Sequence, residues 1–193
     1  LLLLLGGQEG LVVSALSSSK ATPAKQSYFR ILQQCYTPHS ILQDVGRHVQ
    51  LEGVDWDGSL SSLVLVRLSK QLIVLDNNNG KDDYYWREES SSSAWKDALD
   101  KVVQTLASAD WTSSTKSLDA AVEGTMAASV LSRLLPDHYS ILPWEPLFQM
   151  WDERAAQVVG QLEPHQLSGL KWSYDCFQLL LPSSSSCLLP TDI

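Results

Sequence analysis

The chain has 193 residues, 44% of them hydrophobic, which is enough for one domain whose core needs no disulfide or metal. The formal net charge of −8 repels nucleic-acid phosphates at long range, so we exclude a protein whose whole surface binds RNA and expect no DNA partner. The apolar run at residues 1–5 is far shorter than the roughly 20 residues that cross a bilayer, so we expect no membrane span.

The N-terminal segment, residues 1–27, is predicted to be irregular or transit-like. Residues 11–34 are rich in serine and contain no acidic residue, a composition typical of organellar transit peptides and equally of polar linkers. Because no initiating methionine is present, we expect the sequence to start at a mature terminus or to be a fragment. Residues 11–50 contain four basic residues and one acidic residue. This local charge makes Arg30 and Arg47 candidate RNA or partner contacts, although a solvated surface has the same composition.

The first predicted helix pair lies between residues 37 and 74, after a short helix at 28–35. Thr37 and Pro38 supply an N-cap and a first residue for a helix that runs to about residue 50 and stops at Gly53. Asp57 is the N-cap candidate of a second helix that continues to about residue 74, although the apolar run 63–66 could also form a buried strand. The apolar residues that repeat with the helical period are Ile41, Leu42, Val45 and Val49, and then Leu60, Leu63, Val64, Leu68 and Leu72.

Two further helix pairs are predicted after an acidic insertion at residues 76–93. A helix near residues 95–106 is followed by a polar loop at 111–117 and by a helix at 118–135, which Gly124 weakens and Pro136 ends. In the third pair, Pro146 opens one helix, and Pro164 opens another that ends at residue 182. The apolar stripes are Trp95, Leu99, Val102, Val103 and Leu106, then Leu147, Phe148, Trp151, Ala155 and Val158, and finally Leu167, Leu170, Tyr174, Phe177 and Leu181.

The recurrence of two helices joined by a short turn predicts an all-α fold. We predict an α-solenoid of about three helix-turn-helix pairs over residues 28–182, because stacked helix pairs give this kind of internal repeat. A compact helical bundle is the alternative. Residues 183–193 are predicted to be a C-terminal tail.

No catalytic or metal-binding pattern occurs in the sequence. Its four histidines are dispersed, its three cysteines lack metal-ligand spacing, and no nucleophile-elbow, P-loop or zinc-protease motif is present. We therefore predict that the chain is not an enzyme and has no catalytic residue, metal or cofactor. The tryptophans could stack on bases, but Trp95, Trp151 and Trp172 lie on or near apolar stripes, which favours anchors in a core or a partner interface.

Residues 35–72 resemble the helix-pair repeats of octotricopeptide-repeat proteins and of their FAST-kinase-like and RAP-domain relatives. In those families a helix opened by proline carries an Ile-Leu pair, and a turn leads to a second helix with spaced leucines and a lysine. Residues 151–180 look like a second copy of the repeat. The matching positions of the first copy are Pro38, Ile41, Leu42, Leu60, Val64, Leu68 and Lys70.

This resemblance implies an organellar protein that acts on RNA, as a maturation factor or as a ribosomal subunit. The organelle implied is the mitochondrion, or alternatively the chloroplast or another plastid. In these relatives the second helices line a concave surface that faces RNA. By that correspondence the residues that face RNA or a partner would be Arg67, Lys70, Gln71, Lys171 and Ser173, with Asp175 beside them.

The chain also departs from the family pattern. Asp175 and the low density of basic residues differ from the basic face of these relatives, and no RAP domain is present. We therefore predict a structural, RNA-associated helical-repeat subunit of an organellar ribonucleoprotein, first of all the mitochondrial ribosome, in contact with rRNA and neighbouring proteins. The alternative is a protein-binding accessory subunit of another large organellar complex, such as a respiratory or ATP-synthase assembly.

Overall fold

The computed structural model describes residues 37–49, 57–77, 93–111, 114–135 and 144–178. Within these residues there are six α-helices and no β-strand, which confirms the all-α prediction. A 3-10 turn at Val159–Gln161 joins the last two helices. The helices are α1 (Pro38–Val49), α2 (Gly58–Asn77), α3 (Ser93–Ser108), α4 (Thr115–Leu134), α5 (Glu145–Val158) and α6 (Pro164–Gln178).

Side chains cap the first two helices, as the sequence predicts. The backbone N–H of Ser40 donates to Thr37 Oγ1 at 3.1 Å, and the N–H of Thr37 donates back to Ser40 Oγ at 3.2 Å. At the start of α2, the N–H of Leu60 donates to Asp57 Oδ1 at 3.0 Å. Each bond satisfies a backbone donor that the first helical turn leaves without an intrahelical acceptor.

Helix α4 begins earlier than predicted, inside the stretch assigned to a polar loop at 111–117. Its N-cap is Ser114, whose hydroxyl accepts the N–H of Ser117 at 3.2 Å. The serine and threonine content that suggests a loop is equally the content of a helix N-terminus, because both residue types cap helices well. The loop prediction is therefore wrong from residue 115 onwards.

The alternative of a buried strand at residues 63–66 is also wrong, because these residues form the middle of α2. The run is apolar because α2 is buried on most sides, with Leu63, Val64 and Leu65 all inside the core. By length and composition alone, Gly58–Leu75 could cross a membrane. The core helix of a folded domain passes the same test, and 56% of this window is buried against the rest of the chain.

The helix contacts divide the six helices into two sets, here called rows: α1, α3 and α5, and α2, α4 and α6. Helix α3 contacts both α1 and α5, and α4 contacts both α2 and α6. The two rows meet through contacts of α2 with α1 and α3, and the most extensive helix pair is α2 with α4. The core contains the apolar stripes predicted for α2 and α3 and, from the stripe predicted for α1, Ile41, Leu42 and Val45, while the side chain of Val49 lies outside the described part. It also contains Leu147, Phe148, Trp151 and Val158 of α5 and Leu170 and Tyr174 of α6.

Helix α4 is buried on nearly every side and is built from small residues. An added Cβ on Gly124 would lie 2.6 Å from Leu106 Cδ2 and 3.1 Å from Ser62 Oγ, so α2, α3 and α4 approach one another too closely for a larger side chain. The buried hydroxyls of Thr125, Ser129 and Ser132 donate to carbonyl oxygens of their own helix at 2.8–2.9 Å. Because these polar groups are satisfied locally, their burial is tolerated.

Several predicted segments lie outside the described residues. They are the N-terminal segment 1–27, the short helix at 28–35, most of the acidic insertion 76–93 and the tail 183–193. The insertion is shorter than predicted at both edges, since α2 continues to Asn77 and α3 begins at Ser93.

Candidate partner-binding surface

The basic residues predicted to bind RNA are divided among several parts of the chain. Arg30 lies outside the described residues, and Arg47 belongs to a turn of α1 whose side chains are not described. Arg67, Lys70 and Gln71 lie on successive turns of α2 and are half-buried. The spacing of three and four residues places these three side chains on one side of the helix.

The predicted residues of α6 separate into surface and interior. Lys171 and Asp175 are exposed, whereas Ser173 is fully buried and its hydroxyl donates to the carbonyl of Gly169 at 3.0 Å. Ser173 therefore has no surface for a partner. The face of α6 that packs on α4 includes Gly169, where an added Cβ would lie 2.5 Å from Met126 Sδ.

Acidic residues of α4 lie between the basic residues of α2 and those of α6. Asp119 Oδ1 accepts the amide N–H of Gln166 at 2.6 Å, which connects α4 to α6. Gln166 is oriented by its own helix, since its Oε1 accepts the backbone N–H of Glu163 at 2.8 Å. Glu123 lies one turn after Asp119 and acts electrostatically on Lys70 of α2. The three helices of this row thus share one polar cluster of Lys70, Glu123, Asp119 and Gln166.

Glu123 is an unusual carboxyl group because it is only 8% exposed. Burial raises its pKa to about 7, the Asp119 carboxylate acts in the same direction, and Lys70 opposes both. Burial disfavours the charged form of any acid, and a like charge one helical turn away adds to this effect. Its neutral form is therefore favoured more than that of an exposed glutamate.

The resulting surface carries both signs of charge. Helix α2 carries Arg67 and Lys70, α6 carries Lys171, and α4 carries Asp119 and the mostly buried Glu123. Carboxylates repel phosphates, so this face is expected to bind nucleic acid less well than a purely basic face would. A partner that itself carries both signs of charge, such as another protein, suits this composition better than nucleic acid does.

A cleft of about 400 Å³ lies where the start of α2, the end of α3 and the start of α4 meet. The indole Nε1 of Trp111 is buried and has no hydrogen-bond partner within the described part of the chain. Neither histidine nor cysteine is found among the described residues that line the cleft. Its polar lining consists of Asp57, Ser59, Thr105, Ser108, Asp110, Trp111 and Ser117.

The reactive side chains that are described are held in structural contacts. Burial raises the pKa of the Cys176 thiol, and the opposing effect of Arg133, whose Nη1 donates to the Sγ at 3.8 Å, is smaller. His165 Nδ1 lies 3.3 Å from a Glu163 carboxylate oxygen on the surface. No group of three metal-ligating side chains occurs among the described residues.

The described tryptophans are mostly interior. Trp95 is 6% exposed and Trp151 is 2% exposed, so of the two predicted positions, a core or a partner interface, these side chains occupy the core. Trp172 is half-buried. Trp151 also donates its indole N–H to Thr125 Oγ1 at 2.7 Å, a bond between α5 and α4. Fully buried rings cannot stack on bases, so Trp95 and Trp151 add nothing to nucleic-acid recognition.

Sequence reasoning missed the acidic half of this surface. The signal was present as two acidic residues spaced four apart, Asp119 and Glu123, of which Glu123 is the single charge within an alanine-rich stretch of α4. A lone carboxyl in such a stretch indicates either a surface stripe or a buried, perturbed acid. The position of α4 between α2 and α6 decides between them, and that position depends on contacts distant in sequence.

Comparison of the chain with protein families, with curated proteins and with solved structures finds no match.

Proposed function

We propose that this chain is a structural, non-catalytic helical-repeat subunit of an organellar ribonucleoprotein, the mitochondrial ribosome being the first candidate. In this proposal the helices form an α-solenoid, and the row of α2, α4 and α6 is the face that contacts neighbouring proteins and rRNA. The proposal rests on the resemblance of residues 35–72 and 151–180 to organellar helix-pair repeats and on the arrangement of the helices in rows.

The contacts between helices are the observation that carries the proposal. In a stack of helix pairs, the first helix of each pair packs on the first helix of the next, and the second helices do the same. The contacts of α1 with α3 and α3 with α5, and of α2 with α4 and α4 with α6, follow this rule. A stack of this kind offers a long face to its partners rather than an enclosed site.

The charges of that face favour contact inside a larger particle over independent RNA binding. Lys171 is exposed, and Arg67 and Lys70 are half-buried beside acidic groups. A few basic residues among carboxylates contribute little affinity for phosphate by themselves. They suffice where surrounding proteins already hold the RNA in place, because the entropic cost of bringing the partners together has then largely been met by the other contacts.

The direct test is isolation of the tagged full chain from organelles, with identification of the particle that accompanies it. We expect ribosomal proteins and rRNA, and we expect the association to weaken in Lys171→Glu. Lys96→Glu is the matched control, because Lys96 is also exposed but lies on α3, in the other row. Recovery of the chain without rRNA would contradict the proposal, as would equal effects of the two variants.

A protein-binding subunit of a respiratory or ATP-synthase assembly is the second candidate. The half-buried Asp119 on α4 favours it, because a carboxylate suits basic side chains of a protein better than phosphates. Nuclease treatment separates the two candidates. A particle that dissociates after nuclease supports the ribonucleoprotein, and an intact particle free of rRNA supports the second candidate.

A further inference from the structure

The cleft at the ends of α2, α3 and α4 is bounded on one side by a close contact between two helix ends. An added Cβ on Gly58, the first residue of α2, would lie 2.6 Å from the Cβ of Ala109, which directly follows α3. Both residues line the cleft. This part of the wall is therefore shaped by backbone packing rather than by long, adaptable side chains.

One hydrogen-bond donor in the lining of this cleft lacks an acceptor. Trp111 lines the cleft and is 4% exposed, and its indole Nε1 is buried with no hydrogen-bond partner among the described residues. An indole N–H can only donate, and a buried donor without an acceptor is costly. The neighbouring ring of Trp151, centred 6.0 Å away, has its acceptor in Thr125. Trp111 is thus the member of this pair that an acceptor from a bound group would satisfy.

The charged side chains of the lining are acidic. Asp57 and Asp110 line the cleft, and the described lining residues include no lysine or arginine. Asp57 Oδ1 accepts the N–H of Leu60, so this carboxylate also serves the start of α2. Asp110 is exposed and lies two residues beyond the end of α3. The lining therefore favours a cation over a phosphate or another anion.

The end of α3 already binds one guanidinium group. Arg154 of α5, which is not among the described lining residues, donates from Nη1 to the carbonyl oxygen of Ala109 at 2.9 Å. Carbonyl groups at the C-terminus of a helix carry partial negative charge and favour cations. The N-termini of α2 and α4 act in the opposite direction, but Asp57 and Ser114 cap them. Arg154 offsets part of the negative charge, and the two carboxylates of the cleft exceed it.

We propose that this cleft binds an arginine side chain that a partner protein presents. The guanidinium group pairs with the Asp110 carboxylate, and a backbone carbonyl oxygen of the partner, after a small movement of the ring, accepts the indole N–H of Trp111. This inference goes beyond the proposed function and holds whether or not the particle contains RNA.

Arginine fits the lining better than lysine does. Its planar guanidinium group has five donors, which can serve a carboxylate and several hydroxyl oxygens at once, whereas an ammonium group has three. The hydroxyl groups of the lining belong to Ser59, Thr105, Ser108 and Ser117. The volume of about 400 Å³ lies within the range of roughly 300–1,000 Å³ that is common for ligand pockets, and it admits one long side chain with its own backbone.

The test is an NMR titration of the full, isotope-labelled chain with N-acetyl-arginine amide, which carries the guanidinium group and two carbonyl groups. Trp111→Phe identifies the indole N–H resonance of Trp111. We expect this resonance to move downfield and to saturate as the hydrogen bond forms. N-acetyl-citrulline amide has the same shape without the charge and should bind about fivefold more weakly or less, because hydrogen bonds to charged groups are the stronger ones.

Two matched variants distinguish binding in the cleft from attraction to the acidic chain as a whole. Asp110→Asn should weaken binding of the arginine amide by about fivefold and leave binding of the citrulline amide unchanged. Asp97→Asn removes an exposed carboxylate of α3 that is not in the lining, so it should bind as the wild type does. The remaining indole resonances verify that each variant is folded. An unmoved Trp111 resonance, equal binding of the two amides, or equal effects of the two variants would overturn the proposal.

Discussion

Among single side chains, Thr125 is the clearest example of a polar group that the core uses. Its hydroxyl donates to the carbonyl of Ala121 at 2.8 Å and accepts the indole N–H of Trp151 at 2.7 Å. Thr125→Val keeps the shape and removes both bonds, which leaves a buried indole donor without an acceptor. We expect a loss of about 1–3 kcal/mol in the free energy of unfolding, measured by urea denaturation.

Thr105→Val is the matched control for this substitution. The Thr105 hydroxyl also donates to the carbonyl four residues before it, that of Lys101, at 2.9 Å, but it is half-exposed. The control should change stability by less than about 0.5 kcal/mol. If the two variants lose equal stability, the bond to Trp151 contributes nothing and the prediction fails.

Gly124 is the position where the close approach of three helices restricts side-chain size. Gly124→Ala gains about 1 kcal/mol of helix propensity, but its Cβ would overlap the fully buried Leu106 and crowd Ser62. Overpacking of this kind costs about 1–3 kcal/mol, so we expect a net loss of about 1 kcal/mol in thermal or urea unfolding.

Gly160→Ala provides the comparison, because no atom lies within 4 Å of an added Cβ at that position. This variant should unfold at the same urea concentration as the wild type or at a slightly higher one. Equal behaviour of the two alanine variants would show that the core at Gly124 can relax around a methyl group.

Whether the burial of a side chain could be predicted from the sequence depended on what that side chain contacts. The apolar stripes of α1, α2 and α3 were predictable because burial of one helix face imposes a period of 3.6 residues. Leu167 was predicted to be buried but is half-exposed, and Gln166 is buried instead. Helix α6 is rotated toward α4 by the close contact at Gly169 and by the hydrogen bond of Gln166, and neither is a matter of hydrophobic period.

At the scale of the helix, the capping group of α2 is the feature most open to test. Asp57→Ala removes the acceptor for the N–H of Leu60 and should cost about 1 kcal/mol of stability, as loss of an N-cap usually does. Asp57→Asn should retain most of it, because asparagine caps equally well. Urea denaturation of both variants checks this, and the prediction fails if alanine and asparagine behave alike.

The helices were largely predictable and their ends were less so. Proline and the capping residues Thr37 and Asp57 gave the starts of α1, α2, α5 and α6 within one or two residues, since these signals act locally. The start of α4 was missed because Ser114 lies in a run of serine and threonine with several equivalent caps. The end of α2 extends beyond residue 74 to Asn77, and its last two residues, Asp76 and Asn77, are polar and could equally belong to a loop.

For the whole molecule, the proposed solenoid and a compact bundle differ in how far a local change spreads. In a stack, stability is approximately the sum of the stabilities of the repeats and of the contacts between neighbouring repeats. A destabilising substitution at one end is therefore expected to affect mainly the helices at that end. Leu170→Ala, in the buried face of α6, should cost about 2–5 kcal/mol locally. We expect hydrogen exchange to show lost amide protection in α6 and α5, with protection in α1 and α2 unchanged.

Leu42→Ala, in the buried face of α1 at the other end, is the reciprocal variant. This variant should lower the amide protection of α1 against hydrogen exchange and leave the protection of α6 unchanged. Equal loss of protection in every helix, from either variant, would favour the compact bundle over the stack.

The arrangement of the helices could be predicted from sequence only as a class. The recurrence of helix pairs gave an all-α fold, but the rows depend on contacts between residues far apart, such as Gln166 with Asp119. The candidate surface shares this limit. The basic residues on α2 and α6 were assigned to the surface from the resemblance. The acidic residues could be assigned to it only once the contacts of α4 with α2 and α6 were known.

The small residues of α4 have a consequence for its axial position. Most of its buried residues are alanine, glycine, serine and threonine, so apart from the close contact at Gly124 few large side chains oppose a shift of neighbouring helices along its axis. Directional bonds do not tolerate such a shift. Trp151 of α5 donates to Thr125, and Gln166 of α6 donates to Asp119. These two hydrogen bonds therefore fix the position of α4 along its axis relative to α5 and α6.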